Sequence, residues 1–230
     1  MIDKLFIINL KRRPDKLEPV LKSIEAHKIN KEKYTVYEAI DCRDFKTVKR
    51  IVKKYQDIDF NPDIFKKEKI TNTERYRAKF CCWLSHYSLL KQYEDDISDE
   101  WIIIVEDDCL IQYNLQELKK QIQITAKIHN SPDMIVLSDR IGICNKYIHN
   151  NLTVFKEKVG NFGTDCYAVK KSSCKKILKN LLLNREQDFC SIDNCYAEMN
   201  KNNLIKIVPL IFKSFGVCSD RGSKNSDIEV

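Results

Sequence analysis

The chain has 230 residues, 43% of them hydrophobic and 10% aromatic, with five Gly and five Pro. This length and composition suit one domain spanning residues 1–230 with a sizeable core, and exclude a disordered chain or modules on long flexible linkers. The net charge of +7 comes from Lys and Arg scattered through predicted helices; it suits solvated helix faces or attraction to a phosphate-bearing substrate, and no zinc-finger spacing or aromatic-rich RNA motif points to nucleic acid.

Leu5 to Leu10 is a short apolar run that reads as a buried strand, closed by the basic turn Lys11-Arg12-Arg13-Pro14. Pro14 suits the first turn of a helix, and Leu17, Val20, Leu21 and Ile24 follow at helical spacing. Tyr34 to Ile40 reads as a second strand ending at Asp41, Asp44 to Tyr55 as a helix, and Asp57 to Thr73 as a polar loop. Glu74 to Glu94 is a long helical pattern carrying Phe80, Trp83, Leu84, Tyr87 and Leu90 toward a core. Trp101 to Val105 is the strongest strand and runs straight into Glu106-Asp107-Asp108. A helix over Leu115 to Ile128, a strand at Met134 to Leu137, a strand at Cys166 to Val169 and a helix over Ser172 to Leu183 come next. A helix near Ser191 and a strand at Leu204 to Val208 end the pattern.

Alternating strands and helices predict an α/β fold: an open, mostly parallel, Rossmann-like sheet with helices on both faces. Ligands of such sheets bind beyond the carboxyl ends of the strands. The residues at those ends are Asn9 to Arg13, Asp41, Glu106 to Asp108 and Ser138-Asp139.

The ten cysteines include no CxxC pair, which argues against a zinc site, and they read as reduced, buried thiols. Met1 leads directly into a predicted strand, without a cationic and apolar leader, and no apolar run is long enough for a membrane span. The expected location is therefore cytoplasmic. Abundant Lys, Asn and Ile point to an AT-rich bacterial or viral genome, in the latter case a host cytoplasm.

Three consecutive acids after an apolar strand repel one another unless a cation or hydrogen-bond donors compensate them. A divalent metal is one compensation; a helix N-cap cluster or a solvated turn is the other reading. Oxygen ligands favour Mn²⁺ or Mg²⁺, which would bridge to substrate phosphates. In an extended chain residues two apart share a side, so Glu106 and Asp108 can face one ion.

Phe6-Ile7-Ile8-Asn9-Leu10 with Arg12-Arg13, Tyr37 to Asp41, Cys82-Trp83-Leu84-Ser85-His86 with Leu90-Lys91, and Glu106-Asp107-Asp108 stand in an ordered series. Gly163-Thr164 with Tyr167 and Lys171, Ile192-Asp193, Pro209 and Asn225 to Ile228 extend it. Together they resemble glycosyltransferase family 25, which includes lipo-oligosaccharide and collagen galactosyltransferases. The resemblance implies a glycosyltransferase A type fold, a UDP-sugar donor and inversion at the anomeric carbon. It implies Glu106 and Asp108 as metal ligands, with Asp107 as the alternate, and Asn9, Arg12, Arg13 and Asp41 around the nucleotide. Arg12 and Arg13 also fit a solvated turn.

The general base should be a carboxylate facing the acceptor. Asp193 is the first choice, Asp139 the second and Asp188 the third, although each also fits an N-cap or surface role. Ser85 and His86 are neighbours on a helix and point about 100° apart, so they cannot act as a Ser-His pair; shaping the donor pocket suits them better. Three departures from the family pattern bear on the acceptor. Phe162 stands for an expected Trp, Asp165 for a small residue, and no His follows Pro209, only Ser219 and Asp220.

The acceptor implied is a glycan or a hydroxylated collagen-like side chain. The competing readings are a UDP-glucose-dependent transferase, a silent family member acting as a binding or adhesion module, and a metal-dependent phosphate-ester hydrolase. Four His are few for the last, and an intact acidic triplet argues against silence.

Overall fold

In β1 (Ile2–Asn9) and β3 (Trp101–Glu106), consecutive apolar side chains are buried on alternating faces. Leu5, Ile7, Ile103 and Val105 enter one core, and Phe6, Ile8, Ile102 and Ile104 the other. A strand buried on both sides has no polar face to show, which is why these segments read as unbroken apolar runs. The computed structural model describes residues 2–55, 58, 71–138, 146–149, 152–155, 163–183, 191–210 and 217–219.

The main sheet adds β2 (Tyr34–Glu38), β5 (Met134–Val136), β8 (Cys166–Lys170) and β9 (Ile207–Pro209) in the order β2-β1-β3-β8-β5-β9. The pairs β1/β2, β1/β3 and β5/β9 are parallel, while β8 runs antiparallel to both β3 and β5. The open, mostly parallel sheet expected from the sequence is present, with β8 as its single reversed strand.

One face is covered by α1 (Pro14–Ala26) and α4 (Leu115–Ile128), through Val20, Ile24, Leu118 and Ile122. Pro14 sits in the first turn of α1, where its missing N–H costs nothing. Asn114 and Glu117 close a reciprocal capping box on α4. The other face is covered by α2 (Phe45–Lys54), α3 (Thr71–Leu90), α5 (Cys174–Leu183) and α6 (Ile192–Lys201). Asp44 caps α2 by accepting the Thr47 backbone N–H.

Some boundaries differ from the sequence reading. The helix expected from Glu74 begins at Thr71, inside the expected polar loop, and residues 59–70 of that loop lie outside the described residues. The last expected strand forms at Ile207–Pro209 rather than from Leu204, because residues 202–205 are taken up by the turns that end α6. Four short strands were not anticipated: β4 (Cys109–Ile111), β6 (Lys146–His149), β7 (Leu152–Phe155) and β10 (Val217–Ser219). β6 and β7 form a hairpin, whereas β4 pairs with β10 across more than a hundred residues of chain, a contact that local pattern cannot announce. The pairing sets the backbone of Ser219 opposite Cys109, immediately after Asp108.

Candidate active site

The carboxyl end of β3 carries Glu106, and Asp107-Asp108 form a turn directly beyond it. The two-residue alternation of an extended strand therefore runs only as far as Glu106. Its side chain leans toward α3: Oε1 lies 3.1 Å from Nε2 of the buried His86 and accepts the Thr164 hydroxyl at 2.9 Å. Across the ring, Nδ1 of His86 lies 2.8 Å from the Tyr167 hydroxyl, which lies 3.5 Å from that of Tyr196. An ionised Glu106 can only accept, so in the neutral ring the proton sits on Nε2 and the Tyr167 hydroxyl donates to Nδ1. Burial and then the neighbouring Tyr196 push the Tyr167 phenol well above its usual range, so it stays protonated.

Asp107 leans toward β1. Its Oδ2 accepts from Asn9 Nδ2 at 2.7 Å, and the same amide donates to the Arg13 carbonyl at 3.0 Å. Asn9 is nearly fully buried, so this amide ties the end of β1 both to its own basic turn and to the acidic turn. Arg12 Nε reaches Asp41 Oδ2 at 2.7 Å, and Oδ1 of Asp41 accepts the Arg43 backbone N–H. The Arg13 guanidinium pairs with Asp15 in the first turn of α1. A cleft of about 240 Å³ opens beside these strand ends, lined by Asn9, Lys11, Pro14, Leu17, Val36 and Glu38.

Ser85 is buried and fully used. Its hydroxyl donates to the Cys81 carbonyl at 2.7 Å and accepts the Ile40 backbone N–H at 2.9 Å, fastening α3 to the end of β2. Ser85 and His86 thus point to different partners, as their helical spacing requires. Asp165 is also buried, with Ser138 Oγ and Cys109 Sγ on its two carboxylate oxygens and its carbonyl accepting the Glu106 N–H. Asp193 lies in the first turn of α6, half-buried. Its charge, with those of Glu106 and Asp108, bears on the Cys82 thiol of α3, which burial above all keeps protonated. Asp139 and Asp188, the other base candidates, lie outside the described residues, as do Phe162 and Asp220.

Asn9, Arg12, Arg13, Asp41 and Glu106 to Asp108 therefore lie together at the carboxyl ends of β1, β2 and β3. Glycosyltransferase family 25 (LPS biosynthesis protein) has a family model that matches residues 2–195. The chain belongs to glycosyltransferase family 25. It is a glycosyltransferase, with a sugar-nucleotide donor and an acceptor as its substrates. Its five parallel strands and one reversed strand, helices on both faces, form the α/β sheet expected of the glycosyltransferase A type. Among solved structures, the galactosyltransferase LgtC in complex with donor and acceptor sugar analogues is similar at 13% identity, over 95% of this chain and 87% of that one, with a TM-score of 0.48. The glycosyltransferase GlyE of Streptococcus pneumoniae is similar at 11% identity, over 91% of this chain and 45% of that one, with a TM-score of 0.44. No curated protein matches the sequence.

Three features of this transferase were not assigned to the site from sequence: the Thr164 and Tyr196 hydroxyls and the Cys82 thiol. Cys82 and His86 are four residues apart on α3, a spacing that places them on one face and could have paired them. Tyr196 had no such signal. Among the described residues, no helix is long and apolar enough to cross a membrane. The cysteines described are free thiols, most of them buried, in line with the reading of reduced, hydrophobe-like residues.

Proposed function

We propose that this transferase moves a hexose, galactose, from a UDP-sugar to a glycan or hydroxylated collagen-like acceptor, with inversion and with help from a divalent metal. The observation that carries the reading is the acidic turn Glu106-Asp107-Asp108 at the end of the central strand, in a chain whose family transfers sugars. The donor set there is all carboxylate oxygen, at a partly exposed strand end, which fits a hard ion such as Mn²⁺ or Mg²⁺. Glu106 and Asp108 would hold it, with Asp107 as the alternate. When bound, the ion offsets charge on the diphosphate leaving group.

Asn9, Arg12, Arg13 and Asp41 shape the nucleotide side. The Arg12–Asp41 pair braces the loops after β1 and β2, and the adjoining 240 Å³ cleft is sized for one ring of the donor rather than the whole molecule. Ser85 holds α3 in place from within, and His86 steadies Glu106. Asp193 acts as general base. Its carboxylate takes the proton of the acceptor hydroxyl as that oxygen bonds the anomeric carbon and the bond to UDP breaks on the opposite face. The support for Asp193 is its place on the first turn of α6, close enough for its charge to reach Cys82 together with those of Glu106 and Asp108.

The test is UDP release from a panel of UDP-sugars with Mn²⁺, comparing the wild type with Asp108→Ala. Turnover of UDP-galactose, lowered about 100-fold or more in the variant, is expected if the ligand supplies several kcal/mol at the leaving group. Turnover of UDP-glucose alone would keep the reaction class and change the sugar. No release and no Mn²⁺-dependent UDP binding would leave a binding module in place of an enzyme.

A further inference from the structure

Helix α3 projects Cys82 and His86 from one face, and β3 ends with Glu106 opposite them. The Cys82 sulfur, a ring nitrogen of His86 and a carboxylate oxygen of Glu106 all lie within 4.8 Å of one another. Sugar transfer draws on Glu106 but has no use for a thiol. We propose that Cys82, His86 and Glu106 form a second metal site, for a borderline-soft divalent cation of the Zn²⁺ kind.

The site shares Glu106 with the carboxylate turn but differs from it in donor chemistry. One sulfur, one nitrogen and one oxygen make a zinc-type set, whereas Mn²⁺ and Mg²⁺ prefer oxygen throughout. Charge favours it as well. A thiolate and a carboxylate together cancel a divalent ion, so the loaded site buries no net charge. With metal–donor bonds of about 2.0–2.3 Å, tetrahedral donors stand roughly 3.3–3.8 Å apart, so closing the cluster onto an ion needs shifts of about 1 Å. Three protein donors would leave one position of a tetrahedral ion open, and Glu106 is partly exposed.

The groups behind the ligands suit both states. Thr164 orients the Glu106 carboxylate, and Tyr167 meets the far nitrogen of His86. When Nε2 binds the ion, the ring proton sits on Nδ1 and donates to the Tyr167 oxygen, whose own proton turns toward Tyr196. Hydroxyls can both give and accept, so the His86–Tyr167 hydrogen bond reverses when the ion takes Nε2, as outer partners of metal-bound histidines do. The ion replaces the proton of the Cys82 thiol, and that proton leaves to solvent.

The experiment adds Co²⁺, a spectroscopic stand-in for Zn²⁺, to the full chain kept reduced by a non-thiol reductant. The expected result is a sulfur-to-cobalt charge-transfer band that saturates at one ion per chain and is bleached by Zn²⁺. It is lost in Cys82→Ser and kept in Cys42→Ser, which removes a thiol outside the cluster. A wild type without the band, or a band that survives Cys82→Ser, overturns the proposal. If Cys82→Ser does not fold by circular dichroism, Glu106→Gln takes its place. Cobalt affinity must then fall at least about tenfold, the lower end of what even an outer-shell change costs, and an unchanged affinity overturns the site. No sugar transfer is read, so a failed transferase reading leaves this result standing, and turnover with Mn²⁺ but no cobalt band removes this proposal alone.

Discussion

On the side of the sheet covered by α1 and α4, β1, β3 and β8 present Leu5, Ile7, Ile103, Val105 and Ala168, packed against Val20, Ile24, Leu118 and Ile122. On the side covered by α3 and α6, the same strands present Phe6, Ile8, Ile102, Ile104 and Tyr167, and near their carboxyl ends the packing gives way to His86, Tyr167, Tyr196 and Glu106. The first side is mostly aliphatic, its polar contact being the Cys109 thiol on the buried Asp165 carboxylate. The second carries a chain of buried polar groups that is sound only while each has its partner. This sheet holds its shape with one face and its chemistry with the other, and the two properties can be attacked separately.

The largest effect should come from the aliphatic face. Ile103 is completely buried, and Ile103→Ala is expected to cost about 2–5 kcal/mol in urea unfolding through lost transfer energy and the cavity left behind. The KM for the sugar donor of the folded fraction should not change. A changed KM would show that the aliphatic face also sets the site. Tyr167→Phe probes the polar face. It keeps the ring and removes the hydroxyl between His86 and Tyr196, leaving a buried imidazole nitrogen without its donor, a cost of about 1–3 kcal/mol. Turnover should fall along with the melting temperature, because Glu106 loses the ring that steadies it. A variant that loses stability and keeps full turnover would show the relay to be structural only.

This division was half legible in the sequence. Doubly buried strands announce themselves as apolar runs, so β1 and β3 and the acids beyond them could be found from residues 5–10 and 101–108 alone. The N-terminal starts of the helices were marked by local residues too, Pro14 for α1 and Asp44 for α2. The direction in which Glu106 leans was not marked. It depends on His86, 20 residues away, on Thr164, 58 away, and beyond them on Tyr167, 81 residues from His86. No local period links such residues; only the sheet order does. The reversal of β8 was hidden for the same reason, since a short apolar run reads alike in either direction. Asp165, noted only as a departure from the family pattern, turns out to be a buried acid serving Ser138 and Cys109, and its signal was simply an acid directly before the apolar run Cys166 to Val169.

The smallest effect expected is also the one with a pH signature, and it lies on the polar side's support. Asp133, just before β5, accepts from Ser173 and Lys176, which hold the start of α5, and from the backbone N–H of Lys206, which leads into β9. Burial pushes its carboxyl upward, but the Lys176 ammonium, the Lys206 N–H and the Ser173 hydroxyl outweigh that and leave it below its ordinary value. A depressed acid in the folded state stabilises the fold above the unfolded value of about 3.9, and that contribution is lost as pH falls through the lower, folded value. Asp133→Asn keeps the shape and one acceptor oxygen and should cost about 1 kcal/mol near neutrality. Urea midpoints measured from pH 7 downward should show the gap between wild type and variant closing once the pH drops below about 3.9. The aliphatic substitution Ile103→Ala should show a gap that stays constant over the same range, because no proton is involved in its loss. Parallel curves for both variants would mean that α5 is held by packing alone, and the contrast between the two faces would then end at the relay around His86.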